Sequence, residues 1–269
     1  MRGLIVGVAN EDSLAAGCAK ALHDAGADIA LTYLNEQARP YVEQVANKVG
    51  AQMVLPLDVT VPDQLGSVFE SISERWGTLD FLIHSIAFAP KEDLHGRVID
   101  SSAEGFSIAM DVSCHSLVRL ARQAEPLMRE GGGILTMSFY GSEKVVRGYG
   151  MMGPVKAALE STVRYLAHDL GPRAIRVNAL STGPVQTRAA SGLSHFDALM
   201  RAAVQQAPLH QLRLPRLPPG LSAPRGPRPA SGDPAPPVQR LRRDRAPRRA
   251  GSASSRGRPR RSGPARPRC

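Results

Sequence analysis

The chain has 269 residues, a length that one α/β domain fills without splitting. Its net charge of +10 comes from one end: residues 213–269 hold 16 arginines and two aspartates, leaving 18 basic against 22 acidic residues in 1–212. Three scattered cysteines exclude a disulfide framework and a cysteine metal site, and no apolar run approaches the roughly 18–20 residues of a membrane span.

Met1–Val8 is apolar for too few residues to be a signal segment, so it reads as a buried strand and a cytoplasmic location is expected. Strand-like runs then recur at Leu4–Val8, Asp28–Tyr33, Gln52–Leu57, Leu79–His84, Gly133–Ser138 and Ile175–Ser181. Helical patterns fill the intervals at Ser13–Ala25, Glu36–Val49, Pro62–Trp76, Ala103–Arg129 and Met151–Leu170, with a short one at Phe196–Gln206. Strand and helix in regular alternation call for a parallel sheet covered on both faces. The strands are continuous apolar runs, as burial on both faces demands. Right-handed crossovers make this a doubly wound α/β sheet of the Rossmann type. His84, His115, His168 and His195 have no ligand-like spacing, so satisfied core or helix histidines are expected and no metal site is.

The turn after the first strand runs Gly7-Val8-Ala9-Asn10-Glu11-Asp12-Ser13-Leu14. A glycine at a strand end lets backbone approach a ligand, and Ser13 opens a helix whose free N–H groups suit a pyrophosphate. A plain serine-capped turn fits the same residues. Its place, the first βα turn of a parallel sheet, is where dinucleotides bind, and it makes Gly7, Ala9, Ser13 and Leu14 cofactor candidates. After the second strand, Leu34 and its neighbours offer neither the usual ribose-binding Asp nor an adjacent Arg or Lys for a 2′-phosphate, which favours NADH over NADPH. Asp58 and Val59 after the third strand, and Ser85, Ile86 and Ala87 after the fourth, lie at the carboxyl edge. Asp58 serves equally as an acid at a helix N-terminus.

The fifth strand leads to Tyr149 and then Lys156, seven residues on and two helical turns away, hence on one face. Pro154 is tolerable only in a first helical turn, so Tyr149 falls just before a helix and Lys156 on it. A phenol can hydrogen-bond an oxyanion as hydride reaches an unsaturated thioester, and an ammonium can hold ribose hydroxyls and steady the same charge. A surface tyrosine and a solvated lysine would show the same spacing.

Four strings, Val6–Ser13, His84–Pro90, Tyr149-x6-Lys156 and Val177–Thr187, resemble those of the bacterial enoyl-acyl-carrier-protein reductases of the short-chain dehydrogenase superfamily, in that family's order across roughly residues 1–212. The wider superfamily uses Tyr-x3-Lys with a serine thirteen residues before the tyrosine; Met152 and Phe139 occupy those places here. The resemblance implies reduction of an enoyl thioester carried on acyl carrier protein, with NADH, in fatty-acid elongation by a homotetramer. It implies that Tyr149 stabilises the enolate, that Lys156 binds the cofactor ribose, that Val185 meets the carboxamide, and that Thr187 and Ser13 approach the pyrophosphate. Ala89, Phe139, Tyr149, Met152 and Ala189 would contact substrate, and residues 189–192 with the following helix would form a flap, Gly192 its hinge. Many relatives carry a second tyrosine at the position of Phe139; Tyr140 stands next to it and joins the catalytic candidates, with the choice between the two open. A ketoacyl or alcohol reductase on the same scaffold is the alternative enzyme.

After Leu212 the character changes. Residues 213–269 contain 13 of the 22 prolines and no Phe, Tyr, Trp, Ile, Met, Lys or Glu, a composition expected to stay disordered. The resemblance implies a further helix and a seventh strand ending in a Val-Asp-Gly-Gly turn, and neither is in this stretch. Arg, Pro, Ala, Gly and Ser are what a GC-rich coding sequence gives out of frame, so a frameshift near Leu212 is expected, with poor folding and little or no activity. Anion or nucleic-acid binding through the basic segment is the reading from another class, weakened by the lack of any aromatic residue for base stacking.

Overall fold

In the computed structural model the described residues are 1–185, 187, 200–201 and 203–205. Six strands alternate with helices: β1 Arg2–Val6, α1 Leu14–Asp24, β2 Asp28–Tyr33, α2 Arg39–Lys48, β3 Met53–Pro56, α3 Gln64–Trp76 and β4 Phe81–His84 come first. Then follow α4 Lys91–His95, α5 Ala103–Met110, α6 Ser116–Ala124, β5 Gly132–Phe139, α7 Met152–Leu170 and β6 Ile175–Thr182. All pairings are parallel and the spatial order is β3-β2-β1-β4-β5-β6, so the chain reverses direction across the sheet between β1 and β4. Ligands of such sheets bind at that reversal, beyond the strands' carboxyl ends.

Alternate residues of each strand feed two cores. Leu4, Val6, Leu82, Ile134 and Val177 pack with α3, α6 and α7, while Ile5, Ile29, Leu31 and Ile83 pack with α1 and α2. The expected doubly wound sheet is therefore present, and the differences are local. The first strand stops at Val6 because Gly7 takes φ +93°, outside the extended region. The helix expected over Ala103–Arg129 is interrupted by a π turn at Asp111–His115 and ends in a 3-10 turn at Glu125–Leu127, where Pro126 supplies no N–H. The short α4 carries no apolar periodicity and is an addition to the expected set. Among the described residues β6 has one strand neighbour, β5, and no helix is long and apolar enough to cross a membrane. The short helix expected at 196–206, the flap at 189–192 and the segment 213–269 lie outside the described residues, apart from a few positions before 206.

Candidate active site

A cavity of about 250 Å³ opens at the carboxyl ends of β1, β4, β5 and β6. Ala9, Ser13 and Leu14 line it from the β1–α1 turn, Ser85, Ile86, Ala87 and Ala89 from the segment after β4, and Phe139 from β5. Tyr149, Met152 and Lys156 enter from the start of α7, and Val185 and Thr187 from the segment after β6. Thirteen positions nominated from the sequence thus meet in one place.

The turn side is built by backbone. A Cβ on Gly7 would overlap the Ser85 carbonyl, so only glycine lets β1 and β4 approach as they do. Ser13 caps α1: its Oγ accepts from Ala16 N at 3.2 Å and donates to Asn10 O at 2.7 Å. Asn10 Oδ1, in the same turn, is buried with no hydrogen-bond partner. A turn opened by glycine and a helix N-terminus suit the phosphate-bearing part of a dinucleotide, and the spare buried acceptor of Asn10 suits one of its hydroxyl or amino donors.

The α7 side is built by side chains. Tyr149 lies in the turn before the helix, where its carbonyl accepts from Met152 N at 3.2 Å. Its ring packs on Phe139, with centroids 4.7 Å apart and planes 55° apart, and a side chain at Gly141 would strike it. Burial pushes the phenol above its usual range, so it is a neutral hydrogen-bond donor throughout physiological pH. Lys156 is buried and donates from Nζ to Met137 O at 2.8 Å. Desolvation lowers it to about 8, against the raising influence of Cys114 and Glu160, so it is mostly an ammonium at neutral pH.

Behind the pair His84 is fully buried between Thr136 Oγ1 at 2.7 Å and Ser116 Oγ at 2.8 Å. Ser116 Oγ donates to Val112 O, so the network assigns the ring hydrogen to Nε2 and leaves Nδ1 to accept from Thr136. Desolvation, helped by Lys156, lowers this histidine to about 3 and keeps it neutral. The π turn presents Ser113, whose hydroxyl accepts from Phe88 N at 2.8 Å and donates to Phe88 O at 2.9 Å, fixing the wall after β4.

Other nominated positions stay out of the cavity. Tyr140 is not brought into it: the strand ends at Phe139 and Tyr140 starts a 3-10 turn, so Phe139 lines the cavity and Tyr140 is 52 % exposed. Leu34 is exposed at the end of β2. Asp58 ties its carboxylate to its own turn, accepting from Thr60 N at 2.9 Å and Thr60 Oγ1 at 2.7 Å. Val59 gives its carbonyl to Arg119 Nη2 at 3.1 Å. Gly7 shapes the turn from beneath without lining the cavity, and Ala189 lies outside the described residues.

Sequence reasoning missed Phe88, Leu94, Met137, Ser138 and the Thr182–Pro184 stretch. For Met137, Ser138 and Thr182 a place at a strand end was the available signal; Phe88 and Leu94 come from the segment after β4 and from α4. It also missed Arg39, which sits with its guanidinium carbon 5.7 Å from the Tyr33 ring centre and pairs with Glu43 at 2.8 Å and Glu36 at 3.4 Å.

Residues 7–216 match the family model described as Enoyl-(Acyl carrier protein) reductase. An enoyl-[acyl-carrier-protein] reductase [NADH] 1 of Rhizobium meliloti is 48% identical over 208 residues, spanning 77% of this chain and 76% of that protein. Among solved structures, an enoyl-[acyl-carrier-protein] reductase (NADH) of Aquifex aeolicus is 46% identical with TM-score 0.76, over 78% of this chain and 82% of that one. An Anaplasma phagocytophilum enoyl-(acyl-carrier-protein) reductase in complex with NAD is 47% identical with TM-score 0.75, over 78% and 80%.

Proposed function

The chain belongs to the enoyl-acyl-carrier-protein reductase family, and from that premise we propose that it reduces the 2,3 double bond of an enoyl thioester on acyl carrier protein with NADH, in fatty-acid elongation. The carrying observation is that Tyr149 and Lys156 line one cavity, the first a neutral phenol and the second an ammonium. When bound, the nicotinamide supplies the hydride that goes to the β-carbon. The Tyr149 hydroxyl donates to the thioester oxygen as negative charge gathers there, and its burial strengthens that hydrogen bond. Phe139 holds the ring in place. Lys156 binds ribose hydroxyls and adds its field to the same stabilisation. The turn from Gly7 to Leu14, with Thr187, holds the pyrophosphate; Val185 backbone meets the carboxamide. Ser85, Ile86 and Ala87 line the cofactor side, with Leu34, Asp58 and Val59 beyond them towards the adenine ribose. Ala89, Met152 and Ala189 flank the acyl chain.

NADH oxidation with crotonyl against acetoacetyl thioesters tests this reading. Preferred turnover of the crotonyl thioester is expected, and preferred turnover of the acetoacetyl thioester would assign the ketone-reductase alternative. That alternative has no residue in its favour, since Met152 and Phe139 stand where its tyrosine and serine belong.

The reading extends to the whole molecule: residues 1–212 are the domain of a cytoplasmic reductase that is a homotetramer when intact, and 213–269 are a foreign segment from a shifted frame that impairs it. The end of the family match near residue 216 supports that boundary. Restoring the frame after codon 212 is expected to raise turnover at least about a hundredfold, since loss of an edge strand exposes backbone and apolar sheet. Equal turnover from both forms would refute the idea, and size-exclusion chromatography with light scattering reads the assembly state.

A further inference from the structure

We infer that Glu160 is the counter-ion of Lys156, a positioning residue that keeps the buried ammonium charged and seated on the Met137 carbonyl. The mechanism above gives Glu160 no part. Yet it is 7 % exposed on the same helix as Lys156, itself 5 % exposed. Four residues separate them, so they share one face of α7 one turn apart. A buried carboxylate is costly unless hydrogen-bonded and paired with opposite charge. The hydrogen bonds are present: Ser138 Oγ, at the end of β5, donates to Glu160 Oε1 at 2.7 Å, and Ser142 Oγ, in the 3-10 turn that follows, donates to the same oxygen.

The two charged groups are therefore anchored to adjacent residues of one strand. Lys156 holds the Met137 carbonyl while Glu160 takes the Ser138 hydroxyl. Three other titratable groups surround Lys156: His84 on β4, which is neutral, Cys114 in the π turn, and Tyr149 before α7, which holds its proton. Cys114 and Glu160 both favour the ammonium, and Glu160 is the carboxyl group among them, one helical turn from Lys156. A purely structural staple would also join β5, the turn and α7; it would not set the lysine's charge. Glutamine keeps the shape and an acceptor and removes the charge, which separates the two roles.

The chain contains five lysines, so carbon-13 NMR of the full-length protein labelled at lysine Cε resolves each one, with Lys156 identified by its loss in Lys156→Met. In Glu160→Gln the Lys156 titration midpoint is expected to move towards acid by about one pH unit. NADH affinity in the same variant should fall about fivefold at pH 8 and less than twofold at pH 6.5. An unmoved midpoint, or one moved towards alkali, overturns the inference. If Glu160→Gln does not fold, glutamate Cδ labelling of the unsubstituted chain decides: an ionised Glu160 signal that steps where Lys156 titrates upholds it, and a protonated carboxyl or no step overturns it. The lysine titration needs neither substrate nor turnover. A shifted Lys156 midpoint with unchanged NADH affinity upholds the ion pair and overturns the proposed role of Lys156 towards the cofactor, so the two failures are distinct.

Discussion

Where β5 meets α7, Lys156, Glu160, Tyr149 and His84 are withdrawn from water, and Lys156, Glu160 and His84 have polar partners fixed from other elements. At the carboxyl ends of β2 and β3, on the far side of β1, Leu34 is 55 % exposed, Asp58 bonds within its own turn, and Arg39 is held by surface glutamates. Both halves belong to one sheet rim. One holds charges in low dielectric, where small displacements change proton affinity and hydrogen-bond strength, and so needs a rigid surround. The other offers backbone, a helix N-terminus and solvated side chains, which suit recognition by shape and weak contacts. Substitutions in the first half should therefore change rate and titration, and in the second affinity and preference.

Tyr149→Phe should give the largest effect. The phenyl ring keeps its packing on Phe139, so NADH affinity and thermal unfolding stay near those of the parent. The rate of enoyl-thioester reduction should fall about 10²- to 10³-fold, the cost of losing one preorganised donor to a developing oxyanion. Steady-state rates with separate NADH titrations check this. A rate within a few-fold of the parent would mean that the buried phenol is packing alone.

Gly7→Ala strikes the backbone half. A side chain there needs a φ of +93° and overlaps the Ser85 carbonyl. A loss of about 1–3 kcal/mol is expected from that strain, with NADH affinity down roughly tenfold as the β1–β4 approach widens. Denaturant unfolding and NADH titration read the two terms. Unchanged affinity in a destabilised protein would separate the turn from the ligand and break the contrast drawn above.

The difference between the halves also explains what the sequence disclosed. Gly7, Ser13, Tyr149 and Lys156 were legible because each acts through local rules: a strand end, a cap, two helical turns of spacing. The partners of Lys156 were not. Met137 is 19 residues away, and Ser138 and Ser142 reach Glu160 across 22 and 18 residues, contacts that no local pattern encodes. His84 was expected to be a satisfied core histidine and is one, but Thr136 and Ser116 lie 52 and 32 residues off. Tyr140 shows how little separates a lining residue from an exposed one: a single step past the strand end turns the side chain out. Asp58 was ambiguous because an acid after a strand can face a ribose and can equally bond its own turn, as it does with Thr60.

Smaller in effect, and specific to the buried half, is the pH dependence of stability. His84 titrates at about 3 in the fold against 6.5 when free. Between those values the unfolded chain binds more protons, so His84 contributes stability above pH 6.5 that is lost as pH falls towards 3. Lys156, lowered from 10.5 to about 8, has the same sign at higher pH: the unfolded chain binds more protons between those values, so its burial costs less as pH rises from 8 to 10.5. His84→Gln should therefore lose stability less steeply between pH 6.5 and 4 than the parent, measured by urea unfolding at each pH. Parallel slopes would show that the ring is not buried neutral.

The smallest expected effect tests the open half. Arg39 stands over Tyr33 at the end of β2, a guanidinium placed to meet a 2′-phosphate there, yet Glu36 and Glu43 occupy it. All three partners are exposed, and exposed pairs of this kind contribute little, so Glu43→Gln frees the guanidinium at almost no cost in stability. The ratio of NADPH to NADH affinity should then rise roughly two- to threefold, most clearly at low salt, and the gain should vanish with screening. Affinity for NADH itself should not change, since the cofactors differ only in the phosphate. A ratio that stays put at low salt would place Arg39 beyond reach of the ligand, and the preference for NADH would then not rest on this engaged guanidinium.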